Sequence, residues 1–170
     1  GAASALPATS ATRGWCADQA ARMAAEGSHD STVVPHACAS AALNRPVTVS
    51  STENGGTPGS AAVDGNGATR WSSAASDPQW IRVDLGSAQR ICQVELRWES
   101  AYARAFQLQV STDGSAWTTV HTTTNGTGGN QTVALDASGR YVRMYGTARA
   151  TGYGYSLWEL IVRTGDSGPV

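Results

Sequence analysis

The chain has 170 residues, enough for one sizeable domain plus an appendage. Its formal net charge of −1 supplies neither the basic footprint of a nucleic-acid binder nor the acidic block of a charged tail. No apolar run approaches membrane-spanning length, so no membrane partner is expected.

Residues 1–41 read as an N-terminal arm. Its first 13 residues are rich in Ala, Ser, Thr and Pro and lack the pattern of an intact signal peptide. Trp15–Gly27 suits a short helix ended by Gly27. His29, Asp30, His36 and Cys38 have no carboxylate pattern beside them that would make a metal site, so this stretch reads as an extended arm. From Ala42 the texture changes to short strands separated by Gly, Asn, Asp, Ser and Thr, the pattern of an all-β sandwich.

The candidate strands are Val47–Ser51, Gln79–Leu85, Ile91–Glu99, Ala105–Ser111, Thr118–Thr122, Gln131–Leu135, Tyr141–Gly146 and Ser156–Val162. The clearest alternation is Val94, Leu96 and Trp98, then Phe106, Leu108 and Val110. Arg97, Glu99, Gln107 and Gln109 fall on the opposite faces, as in strands with one buried side. Between these two runs, Ser100–Ala105 reads as a loop that presents Tyr102 and Arg104 beside Glu99. About four of the six Trp are expected in the core.

The three Cys include no CxxC and no zinc-type cluster. One disulfide and one spare thiol point to an oxidising compartment and so to a secreted protein. A Cys38–Cys92 bridge would staple the start of the sandwich to a strand, and Cys16–Cys38 is the alternative. Residues 164–170 read as a linker or tail.

Several motifs resemble the factor V/VIII type C (discoidin) domain in their order along the chain. They are Ala42-Leu43-Asn44-Arg45-Pro46, Ala62-Val63-Asp64-Gly65-Asn66, Thr69-Arg70-Trp71-Ser72-Ser73 and Gln79-Trp80-Ile81-Arg82-Val83-Asp84-Leu85-Gly86. Val110-Ser111-Thr112-Asp113-Gly114, Arg140-Tyr141-Val142-Arg143 and Tyr155-Ser156-Leu157-Trp158-Glu159-Leu160 continue the match. The resemblance covers about residues 42–163 and is nearest to bacterial carbohydrate-binding modules of family 32, of the kind attached to glucanases and chitosanases. It implies a jelly-roll β-sandwich of about eight strands, secreted, monomeric as an isolated module, and bound to a polysaccharide at loops on one end.

The resemblance also implies a structural Ca²⁺ held by the Ala61 carbonyl, Asp64, Asn66, Thr69 and Glu159. These are hard oxygen donors of the kind calcium takes. For a sugar, apolar faces must meet the ring and fixed polar groups its hydroxyls. Tyr153 and Tyr155 lie between Gly152 and Gly154, which suits exposed rings. Tyr102, Arg104, Glu99 and Glu53 complete the expected site. The His that galactose-binding members carry in an early loop has no counterpart here, which favours a glucan or chitosan; with chitosan, Glu53 and Glu99 would meet the ammonium groups. A galactoside, or a protein ligand as in adhesion domains, is the alternative. No nucleophile elbow or catalytic triad pattern occurs, and the expectation is a binding module and not an enzyme.

Overall fold

A computed structural model describes residues 40–165. Seven strands follow in order: β1 (Val47–Val49), β2 (Trp71–Ser72), β3 (Gln79–Trp98), β4 (Ala103–Ser111), β5 (Thr118–Thr123), β6 (Asn130–Arg149) and β7 (Ser156–Thr164). One 3-10 turn, Gly59–Ala62, precedes β2. All pairings are antiparallel along the path β2-β7-β3-β6-β4-β5, with β1 added to β3.

The two longest strands, β3 and β6, each span 20 residues and pair with one another from end to end. Their ribbon folds over one end of a two-layer sandwich. Gln79–Asp84 of β3 lies between β1 and the later half of β6, and β4 and β5 extend that layer. Ile91–Trp98 lies between β7 and the earlier half of β6, and β2 closes the second layer. The ladder slips between Asp84 and Gln89, where the chain passes from one layer to the other. Asp84 holds that bend: its carboxylate accepts two hydrogen bonds from Arg140, at 2.8 and 2.9 Å, and one from the Gly86 amide. Arg140 outweighs burial and keeps the Asp84 carboxyl below its usual range.

The expected all-β sandwich is therefore present, with a different strand count. Gln79–Leu85 and Ile91–Glu99 were expected apart, as were Gln131–Leu135 and Tyr141–Gly146, but each pair is one strand. The Gly- and Ser-containing links bend the ribbon without ending its ladder, which is how a bulge differs from a hairpin turn. β2 is too short to alternate and left no periodic signal.

The alternation itself holds. Val94, Leu96, Trp98, Phe106, Leu108 and Val110 all enter the core, and Trp98 meets Phe106 with ring centroids 5.7 Å apart. Each fully buried Val, Leu or Phe side chain contributes about 1.5–3 kcal/mol. The tryptophan expectation is corrected. Among the described residues only Trp71 and Trp98 are buried, while Trp80, Trp117 and Trp158 are half-buried.

Cys92 is disulfide-bonded. Cys38 and Cys16, the expected helix at Trp15–Gly27 and most of the expected tail lie outside the described residues. Ala41 donates to the Val162 carbonyl at 2.7 Å, which joins the start of the described residues to β7. Among the described residues no helix is long and apolar enough to cross a membrane.

Candidate binding site

Three loops and the β2 region meet at the end of the sandwich away from the ribbon bend. Backbone bonds lock them together: Glu53 N to Ser72 O at 2.7 Å, Ser73 N to Tyr155 O at 2.9 Å, Glu99 N to Ser156 O at 3.0 Å and Ala150 N to Tyr102 O at 3.1 Å. They enclose an open cavity of about 360 Å³ whose lining includes Glu53, Arg70, Ser72, Glu99, Thr151 and Tyr153.

Arg70 stands between the two acids. Its guanidinium is 4.0 Å from Glu53 and donates to the Ser156 hydroxyl at 2.9 Å. Glu99 accepts from the Ala101 amide at 3.0 Å and the Ser100 hydroxyl at 2.7 Å. Burial alone would raise its carboxyl. The Ala101 amide, the Ser100 hydroxyl and the Arg70 charge overcome that and lower it, so Glu99 is an anion fixed in position. Tyr153 is 71% exposed at the rim. The fixed Glu99 carboxylate and the exposed Glu53 stand beside an exposed aromatic ring, so the cavity offers hydrogen-bond acceptors and an apolar face to a ligand.

The loop that carries Tyr153 is held from below. Gly154 packs so closely on the chain that a Cβ there would lie 2.2 Å from the Ser73 carbonyl oxygen. The next residue, Tyr155, expected to face the sugar, is instead fully buried. Its ring fills the space left by Gly146, where a Cβ would come within 2.3 Å of it, and its hydroxyl donates to Asp77. Burial first, then Asp77, raises the Tyr155 hydroxyl above its usual value, so it remains a donor. Arg149 donates to the other Asp77 oxygen at 3.2 Å and reaches the Gly152 carbonyl at 3.5 Å. Tyr155 is thus a brace for the Tyr153 loop.

Two further expectations change. Tyr102 is half-buried and packs against the core, and Arg104 is exposed on β4; neither lines the cavity. Glu53, Glu99 and Tyr153 do come together there. Arg70, Ser72 and Thr151 join them without having been singled out. Arg70 sits in the motif Thr69-Arg70-Trp71-Ser72-Ser73, where a charge beside a buried Trp was the available clue.

A second cluster lies in the loop after the 3-10 turn. The Thr69 hydroxyl bonds to Asp64 and is 3.0 Å from the Asn66 carbonyl and 3.5 Å from that of Ala61. The Asn66 amide donates to Asp64 at 2.9 Å. Glu159 projects from β7 into this loop. It is 4% exposed, and its Oε1 has no hydrogen-bond partner. Burial first, then the neighbouring Asp64, pushes the Glu159 carboxyl up to about 8. The two facing carboxyl groups, the surrounding carbonyls and the hydroxyl are hard oxygen donors of the kind calcium takes. Among the described residues no three His, Cys, Asp or Glu side chains cluster, so any such cage draws on backbone oxygens.

A loop-end cavity mounted on a rigid β-sandwich is where such a scaffold presents its functional residues. The F5/8 type C domain family matches residues 46–161, and the chain belongs to that family. Chitosan-binding module 2 from the chitosanase/glucanase of Paenibacillus sp. IK-5, solved in complex with chitotriose, is 49% identical with a TM-score of 0.70. That match covers 72% of this chain and 98% of the module. Chitosan-binding module 1 of the same enzyme is also 49% identical, with a TM-score of 0.70 over 72% of this chain and 97% of that one. The polysaccharide lyase 8 family protein HylA of Enterococcus faecalis (strain ATCC 700802 / V583) is 39% identical over 74 residues. These amount to 44% of this chain and 5% of HylA, so the chain matches only a small part of that relative's length.

Proposed function

We propose that this chain is a carbohydrate-binding module for chitosan, and that it holds a secreted polysaccharide-degrading enzyme against that polymer. The observation that carries the reading is the pair of carboxylates, Glu53 and Glu99, on either side of Arg70 and beside the exposed Tyr153 ring. The carboxylates would accept from the ammonium groups of glucosamine units, Tyr153 would cover the apolar face of a sugar ring, and Arg70 would donate to a hydroxyl. A neutral glucan would offer the two acids no cation beyond Arg70, which disfavours it. Identity of 49% to two chitosan-binding modules supports the same ligand. An open site of this kind leaves roughly −4 to −7 kcal/mol after ordering costs, or a Kd on the order of 10 µM to 1 mM. We further propose that calcium binds Asp64, Glu159, the Thr69 hydroxyl and the Ala61 and Asn66 carbonyls, tying the early loop to β7.

Calorimetric titration with chitotriose, N-acetylchitotriose and a β-1,3-glucan trimer tests the ligand. Chitotriose should bind at least about tenfold tighter than the other two, and Glu99→Gln should remove most of that difference, since a hydrogen bond to a charged group contributes about 1.5–3 kcal/mol. Equal binding of all three would overturn the chitosan reading.

A further inference from the structure

The layer containing β1, β4 and β5 has an outer face that the cavity does not use. Ile81, Val83, Val142 and Met144 point into the core, so alternation turns Trp80, Arg82, Tyr141, Arg143 and Tyr145 outward. Register sets Trp80 opposite Tyr145 and Arg82 opposite Arg143. Two like charges directly opposed across a strand pair repel and destabilise it.

Among the described residues neither arginine is paired with a carboxylate. Arg82 donates to the Gly114 carbonyl at 2.8 Å, and Arg143 Nε donates to Gln109 at 2.7 Å. The terminal nitrogens of Arg143 make no hydrogen bond among the described residues. Its guanidinium lies against aromatic rings, 4.1 Å from the Trp117 centroid, 5.0 Å from Tyr145 and 5.8 Å from Trp80. Arg82 lies 5.6 Å from the Tyr141 ring. All these side chains are half-buried and reach solvent in part. Burial first, against an opposing pull from Tyr145 and with a smaller push from the facing Arg82, holds the Arg143 guanidinium below its usual value.

We propose that this face is a second binding surface, for a carboxylate-bearing (uronate) polysaccharide. The observations it joins are an unneutralised arginine pair and the aromatic ring faces beside it. A guanidinium fork matches a carboxylate in shape and charge, and the rings match the apolar faces of the sugars. Net charge cannot draw a polyanion to this chain, because it is −1 overall. Any such attraction must come from a local patch. The surface is independent of the acidic cavity, whose expected ligand has the opposite charge. One module would thus bind a polycation at its loop end and a polyanion on its flank.

Affinity electrophoresis through gels containing polygalacturonate, dextran sulfate, chitosan or hydroxyethyl cellulose tests this. Polygalacturonate should retard the protein. Arg143→Met or Arg82→Met should weaken that retardation about tenfold, the size of one charge-assisted contact. Each substitution relieves the like-charge repulsion and keeps the aliphatic stem, but gives up the bond to Gly114 or Gln109 and, for Arg143, its contact with the rings, so a thermal melt of each variant checks that it stays folded. Glu99→Gln should leave polygalacturonate retardation unchanged, which separates this surface from the cavity and its own ligand. Absence of retardation by polygalacturonate overturns the proposal. So does retardation that both arginine variants retain, and so does equal retardation by dextran sulfate, which would mark a bare charge patch.

Discussion

Replacing Tyr155 and Tyr153 by alanine, one at a time, separates a brace from a contact residue. Tyr155 is fully buried, and an aromatic side chain takes about 150–250 Å² out of water. At about 25 cal/mol per Å² that burial corresponds to about 4–6 kcal/mol. The unfolded chain already hides part of this surface, which brings the figure to about 3–5 kcal/mol. The same range holds for truncating a core aromatic to alanine. Tyr153, 71% exposed, should cost less than about 0.5 kcal/mol. Urea unfolding followed by tryptophan fluorescence reads the first quantity, and chitotriose titration reads binding. Tyr155→Ala should lower the urea midpoint by about 2 M, taking a slope of about 2 kcal/mol per M. Tyr153→Ala should keep its midpoint and lose affinity. Tyr155→Phe removes only the bond to Asp77 and should cost about 1–2 kcal/mol. A Tyr155→Ala protein with an unchanged midpoint and lost binding would refute the assignment of Tyr155 as a brace.

Gly154→Ala should destabilise the protein by about 1–3 kcal/mol and weaken chitotriose binding in parallel, because its Cβ would press on the Ser73 carbonyl and displace the Tyr153 loop; paired unfolding and titration curves check it. Chelation with EDTA should lower the thermal midpoint and added Ca²⁺ should restore it, with Glu159→Gln insensitive to both, as scanning calorimetry would show. The Asp84 carboxyl is lower in the folded state than in the unfolded chain. The stability it confers is therefore present above the unfolded value of about 3.9 and lost as pH falls through the folded value. Asp84→Asn should flatten the acid limb of a stability–pH curve, and an unchanged limb would mean that the Arg140 contact does not hold the bend.

Elements written in adjacent residues were readable from the chain. The runs Val94–Trp98 and Phe106–Val110 are buried as their alternation requires, because one residue in two facing the core is a local property of a strand. The ribbon bend was not readable. Gly86 and Ser138-Gly139 look like turns, and only the partner across the ladder shows that pairing continues past them. Tyr155 was misplaced for a related reason. The spacing Gly152-Tyr153-Gly154-Tyr155 resembles an exposed loop for both tyrosines, while Gly146, nine residues away, decides that one of them is core. Glu53 and Glu99 stood out as acids near strand ends. Arg70, Ser72 and Thr151 did not, because they become neighbours only when separate loops meet.

The folded-over ribbon of β3 and β6 gives the molecule a mechanical character. Its two layers are not separate sheets pressed face to face, since the same two strands supply backbone to both. Prying the layers apart would have to tear a continuous ladder at the Asp84–Arg140 corner. A tug on the loop end therefore loads many hydrogen bonds at once, and the module should give way in a single abrupt event. In the role proposed above, that is the behaviour of a clasp and not of a hinge.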